Sequence, residues 1–192
     1  MNTGTWKTTL FSGLLVSAAL PLTAIGETTD SLETEFIRGG EITIKLSAGE
    51  HRIVRSEDRT IRVHWTVGDE RDDVDASTTV ENNTAEIEID GPGQNFETVI
   101  EVPDSSDLKV KLTAGVLNIQ DIGGNREINL RAGELRIEVD DTNNYGSVSG
   151  SLWAGDIDAG PFQQETSGLF RSIDWSGEGK HSLKFKLMAG DV

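Results

Sequence analysis

Acidic side chains follow a repeated Ala-Gly pair, and they are the residues of this sequence most able to bind a cation. Five copies of a strand-like stretch end in Ala-Gly, and the next residue is acidic in four of them. If the copies stack as strands about 4.8 Å apart, the carboxylates form a ladder that Ca²⁺ would stabilise. The candidate metal ligands are Glu134, Asp156 and Asp191. The alternative is a solvated turn, which Val116 supports by interrupting the ladder; apart from Ca²⁺, no cofactor is predicted.

Histidine, serine and cysteine give no pattern typical of an enzyme. His51, His64 and His181 are far apart, and none has a second ligand at metal-site spacing. No Gly-x-Ser-x-Gly sequence occurs, and the absence of cysteine removes thiol nucleophiles, thiolate metal sites and disulfides. We therefore predict no catalytic residues and no enzymatic activity. A carbohydrate-active protein remains the alternative, because some stacked β proteins cleave polysaccharides.

Aromatic residues gather near the end of the chain, within and beside residues 160–181. Aromatic rings next to a basic residue can stack on sugars or anchor a partner protein. The same rings can instead fold back and cover the apolar end of a repeat protein, which is the interpretation we favour. The residues concerned are Trp153, Phe162, Phe170, Arg171 and Trp175.

The elements that would position these residues are strands that turn at a glycine. Apolar residues alternate before each Ala-Gly, as at Leu112 and Ala114, and resume with the opposite parity, as at Leu117 and Ile119. Because strand side chains alternate with a period of two, the shift indicates one extra residue absorbed at a bulge or corner. Glycine suits such a corner because it lacks a Cβ and permits positive φ. The predicted corner residues are Gly49, Gly115, Gly133, Gly155 and Gly190.

The spacing of the copies predicts an all-β fold. Corner glycines at 115, 133 and 155 suggest units of about 20 residues, the size of one coil of a solenoid. We therefore predict a single-domain β-solenoid or β-helix-like stack of short strands, with about three weaker coils between residues 49 and 115. An antiparallel β-sandwich is the alternative, since strands every 8–12 residues also suit that fold.

The beginning of the chain predicts export. Residues 1–26 have a positive Lys7, an apolar stretch and a small-x-small motif at Ala24-Ile25-Gly26, as in a signal peptide. The alternative is an uncleaved membrane anchor, which Pro21 disfavours. We expect a flexible segment at 27–35 and a β-repeat domain at 36–192. The net charge of −16 disfavours nucleic acid and anionic membranes as partners.

Three sequence features resemble a known family. They are Val102-Pro103 followed by Ser106-Asp107-Leu108, the repeated Ala-Gly-acidic-Leu-x-Ile, and Gly168 to Ser172. Over residues 36–192 they resemble the bacterial putative-adhesin domain family, also called toastrack domains. The resemblance implies an exported or envelope-facing all-β repeat domain and carries over no catalytic residue.

The function predicted from these observations is that of a non-catalytic, adhesin-like or envelope-associated interaction or scaffold module. Its location would be the periplasm, the cell surface or the medium, and its partner a protein or a glycan. End-to-end self-association is possible, because open strand edges pair with other chains. The alternative function is a secreted carbohydrate-binding or carbohydrate-active protein that binds Ca²⁺.

Overall fold

The fold is almost entirely β, as the sequence predicts. The computed structural model describes residues 28–68, 73–120 and 122–192, so the predicted signal peptide lies outside the described residues. Short 3-10 turns occur at Thr142–Asn144 and Gly160–Phe162. The strands are β1 (Thr28–Glu35), β2 (Glu41–Ser56), β3 (Thr60–Val67), β4 (Asp75–Glu81), β5 (Thr84–Asp90), β6 (Phe96–Pro103), β7 (Asp107–Ile119), β8 (Arg126–Ile137), β9 (Tyr145–Ala159), β10 (Gln164–Ser176) and β11 (His181–Asp191).

Five long strands, one from each copy of the repeat, form the parallel centre of the sheet. Their spatial order is β2, β7, β8, β11 and β9. The register aligns all five Ala residues in one row and all five corner glycines in the next. This parallel centre differs from an antiparallel sandwich. Because β11 lies between β8 and β9, the strands do not stack in chain order, and the β-solenoid interpretation stays a prediction.

Each of these strands bends at its glycine, and we call the part before it the first arm and the part after it the second arm. φ at the five glycines lies between +121° and +147°. A Cβ built on Gly133 would overlap the carbonyl oxygen of Gly115 in the neighbouring strand, so the backbones approach too closely for any other residue. Burial changes parity at the corner, with Leu112 and then Leu117 inward along β7. One apolar side is thus kept inward through the bend.

The inward side chains of both arms belong to one apolar core. Across the first arms, Ile44, Val110, Ile128 and Phe185 are fully or almost fully buried. They lie in one row of the register, which continues to Gly150 in β9. A Cβ on Gly150 would overlap the Phe185 ring, so the glycine makes room for the largest side chain of the row.

The region between the first two corners does not contain the three additional coils that we predicted. It contains β3 to β6, with β3 antiparallel to β6 and β4 antiparallel to β5. β5 pairs with the first arm of β2 and β6 with its second arm, both in parallel. The sequence here alternates strongly, but alternation indicates a strand and not the strand with which it pairs.

The start of the described chain is a strand and not the flexible segment predicted at 27–35. All eight residues of β1 pair antiparallel with β3. Leu32 packs against the core, and Glu33 Oε1 lies 3.3 Å from Arg62 Nε. Backbone pairing accounts for the difference, because an edge strand needs few apolar side chains.

Candidate functional site

The acidic residues after the corners are neighbours in the sheet. Asp191 pairs with Glu134 on one side and with Asp156 on the other. Two of the three carboxylates have partners, since Arg136 Nε donates to Glu134 Oε1 at 2.6 Å and the Asp156 backbone N–H donates to Asp191 Oδ1 at 3.2 Å. Within the described residues, no three His, Asp or Glu side chains are grouped as a metal site requires. The three residues form one acidic row after the corners, and a Ca²⁺ site there stays a prediction.

His51 takes an apolar position in the core. It pairs in register with Leu117 and is 1% exposed. Its Nδ1 lies 2.8 Å from Thr98 Oγ1, and its ring meets Phe96 edge to face. Burial lowers the pKa of His51 from 6.5 to about 4, because the charged imidazolium is poorly solvated there. The residue is a neutral part of the core and is closed to substrates.

Arg126 is a second polar residue at an inward position, and the sequence analysis missed it. It pairs with Leu108 and Leu183, and its guanidinium lies 5.8 Å from the centre of the Tyr145 ring. Its Nε and Nη1 are buried, and neither has a hydrogen-bond partner in the described part of the chain. A pocket of about 100 Å³ adjoins it, but Asp104, Glu138, Asp140 and Asp141 also line this pocket, which disfavours an anionic ligand.

The predicted aromatic residues separate into two groups. Phe162 is buried against Tyr145 and Trp175, with ring centres 5.6 and 4.9 Å apart. This group covers the apolar interior near β9 and β10, as in the capping interpretation. Trp153 and Phe170 instead point outward and meet each other at 6.0 Å. A single sequence cluster therefore contains both structural and exposed rings.

The exposed rings belong to an apolar surface formed by β9, β10 and β11, which we call the outer patch. Its members are Trp153, 53% exposed, Phe170, 76%, and Met188, 49%. Met188 lies beside Trp153, because the residues on either side of Met188 pair in register with those on either side of Trp153. Leu169 is also exposed, at 62%, but it pairs with Ala154, whose side chain is on the opposite face from Trp153, so Leu169 lies outside the patch. The sequence signal for Met188 is its position directly before Ala-Gly, which is outward in every repeat strand.

The backbone also favours a role for the outer patch. Phe170 has a φ of +52°, which a bulky side chain adopts at a cost of about 1–3 kcal/mol. Such conformations persist where the surrounding structure holds them and are common at binding sites. Arg171 donates from Nε to the Ser167 carbonyl at 2.6 Å, so its side chain folds back over the strand. The outer patch is thus an exposed apolar surface that includes a backbone position with an unfavourable φ.

Within the described residues, no helix has the length and apolar character needed to cross a membrane. No protein-family model matches the chain. No curated protein sequence matches it either.

Comparison with solved structures identifies the fold. A putative cell adhesion protein from Clostridium sporogenes matches with a TM-score of 0.55 and 14% identity. The match covers 86% of this chain and 97% of that protein's chain. Two putative adhesins also match. The one from Parabacteroides distasonis has a TM-score of 0.24 and 12% identity over 57% of this chain and 56% of its own. The one from Bacteroides fragilis has a TM-score of 0.27 and 8% identity, and the match covers 88% of this chain and 99% of its own.

Only the first TM-score is high enough to indicate a shared fold. At 14% identity the Clostridium sporogenes protein shows that fold and no common activity. The resemblance to the putative-adhesin domain family is therefore confirmed as a resemblance of fold.

Proposed function

We propose that this protein is an exported, non-catalytic interaction module of adhesin type, and that the outer patch is its contact surface. The observation that carries the proposal is the patch itself, in which an outward Trp153, Phe170 and Met188 adjoin on three neighbouring strands. Aromatic and Met side chains are enriched where proteins bind each other, and grouped exposed apolar residues mark interaction sites.

The rest of the molecule favours a role in presenting this surface over a catalytic role. The backbone beneath the patch is paired on β9, β10 and β11, so the rings are held on a sheet. Glu134 and Asp191 of the acidic ladder and the buried His51 each have a local hydrogen-bond partner. The fold shared with a putative cell adhesion protein is consistent with the same role. A glycan is the second candidate partner, because an exposed Trp153 beside Phe170 can stack on a sugar ring.

Residues 27–192 should be tested for binding to immobilised fibronectin, collagen, mucin and a glycan array, with Trp153→Ser/Phe170→Ser as the test variant. Because few aromatic residues carry most of an interface's free energy, the variant should bind at least about tenfold more weakly. Ile37→Ser is the matched control, since Ile37 is an exposed apolar residue outside the patch. The proposal fails if the parent binds no member of the panel, or if both variants bind as it does.

A further inference from the structure

The side of the sheet that carries the outer patch also carries most of the lysine residues. Outward positions of the first arms hold five of the seven lysines in the sequence, namely Lys45, Lys109, Lys111, Lys184 and Lys186. A chain with a net charge of −16 would not be expected from its composition to group positive side chains in this way. Most of the lysine charge is thus concentrated on one side of the sheet.

Two neighbouring rows of the register hold positive side chains and no acidic ones over β7 to β11, and we call them the basic rows. The first row consists of Lys111, Asn129, Lys186, Ser151 and Ser172. The second row consists of Thr113, Arg131 and the three residues of the outer patch, because the residues that flank these positions pair in register. Three cations therefore share this surface with aromatic rings and hydroxyl groups, and no carboxylate separates them.

The cations of the basic rows have no acidic partner. Elsewhere on this side, Lys45 pairs with Glu86, and Lys109 Nζ lies 2.9 Å from Glu41 Oε1. Among the residues that the structure describes, Lys111, Arg131 and Lys186 have no carboxylate within ion-pair distance. Charges farther away than about 8 Å are largely screened at physiological salt, so the acidic residues elsewhere in the chain do not cancel these local charges.

A depression of about 340 Å³ adjoins the basic rows where the side chains of the sheet are short. Its lining includes Lys184 and Lys186 on β11 and, on β9 and β10, Ser149, Ser151 and Ser172. Ser151 and Ser172 are exposed and pair with each other across the two strands. Because serine is much shorter than lysine, the surface is lower over β9 and β10 than over β11. The depression is therefore open to a ligand and has hydroxyl groups at its base.

The polar groups around the depression are those that bind sugars. Serine hydroxyls and the amide of Asn129 both donate and accept hydrogen bonds, as sugar hydroxyls do. Glu127 and Asp174 line the part farthest from the outer patch, where a carboxylate can accept from a sugar hydroxyl. In the adjoining row, Trp153 and Phe170 offer aromatic surface to the apolar face of a sugar ring. The set combines cations, hydroxyl partners and a stacking surface.

We propose that the outer patch and this depression together bind an anionic polysaccharide, with a sugar carboxylate held between Arg131 and Lys186. These two residues are one strand spacing and two residues apart, or about 8 Å between Cα atoms, so their long side chains can reach one anion. One ring of the polymer would lie on Trp153 and Phe170, and the next sugar would occupy the depression. The inference rests on the proposed function, since it names the chemistry of the partner that the outer patch contacts.

The test compares ligands that differ in charge alone. Hexasaccharides of galacturonate, mannuronate and guluronate, and their methyl esters, are titrated into residues 27–192 at low ionic strength by isothermal calorimetry. Esterification removes the charge and keeps the rings and hydroxyls. We expect at least one acid to bind and its ester to bind at least about tenfold more weakly, because charge-assisted hydrogen bonds are lost. Capped hexaglutamate carries the same number of carboxylates without a sugar ring and should bind more weakly than that acid.

Matched variants localise the anion. Arg131→Gln/Lys186→Gln should bind the acid about tenfold or more weakly and leave the binding of the ester unchanged. Arg52→Gln/Arg136→Gln is the control, since it removes the same charge from exposed positions on the second arms, and it should bind the acid as the parent does.

Failure of this inference and failure of the proposed function give different results. The inference is overturned if no acidic hexasaccharide binds, if the ester or hexaglutamate binds as tightly as the acid, or if Arg131→Gln/Lys186→Gln binds like the parent. The proposed function survives each of these results if a panel ligand still depends on Trp153 and Phe170. If Trp153→Ser/Phe170→Ser binds the acid as tightly as the parent does, both are overturned.

Discussion

At the scale of single residues, His51 shows how the core restricts chemistry. An imidazole with a neighbouring hydroxyl could act as a base, but this one is 1% exposed and packed on Phe96. Its pKa of about 4 keeps it neutral in the folded protein near pH 7. The physical consequence is a dependence of stability on pH.

His51 should destabilise the protein as the pH falls. Because the folded-state pKa of about 4 lies below the unfolded value of 6.5, the unfolded chain binds the proton first. Stability is fully present above pH 6.5 and is lost between pH 6.5 and 4, by up to about 3 kcal/mol. Urea unfolding of the parent and of His51→Leu across this range would measure the difference.

The control for this prediction is His64→Gln, which changes a histidine outside the apolar core. It should keep the parent's loss of stability, whereas His51→Leu should show a smaller loss. Equal slopes for all three proteins between pH 6.5 and 4 would mean that His51 is solvated in the native state.

At the scale of elements, the glycine corner explains how the five parallel strands of the central sheet bend together. Gly133 has a φ of +130°, and its Cα faces the Gly115 carbonyl at a distance that leaves no room for a Cβ. One strand cannot move away alone, because the glycines of five strands lie in the same row.

Gly133→Ala should therefore cost about 3 kcal/mol or more in the free energy of unfolding, from the unfavourable φ together with the steric overlap. Gly123→Ala is the control, since its Cβ would meet nothing nearer than 3.5 Å and its φ is not positive. That variant should unfold within about 0.5 kcal/mol of the parent in urea. Similar urea-unfolding midpoints for Gly133→Ala and Gly123→Ala would contradict the close approach of the two backbones at the corner.

The corner and the strand type were predictable from sequence because both depend on local rules. Alternation and a shift of parity at glycine are sufficient to indicate a bent strand with one apolar side. The order of the strands was not predictable, because the first arm of β11 carries the same pattern as those of β7 and β8 and could pair with either. The outer patch was predictable in part: Trp153 and Phe170 were candidates, but nothing local separates them from the buried Phe162 and Trp175.

At the scale of the whole molecule, the chain combines a strongly acidic surface with a small apolar one. A net charge of −16 keeps copies apart at low ionic strength and leaves the outer patch available to other partners. In the described part of the chain, β10 pairs only with β9, so its outer edge is open. End-to-end self-association through such an edge stays a prediction.

The most direct test of the central claim is hydroxyl-radical footprinting of residues 27–192, free and bound to whichever panel member they retain. Trp, Phe and Met are readily oxidised when exposed, and the three patch residues are of these types. The account predicts that oxidation of Trp153, Phe170 and Met188 falls together on binding while that of the buried Phe162 is unchanged. Unchanged oxidation of these three residues in the bound protein would contradict the account, because the contact would then lie elsewhere.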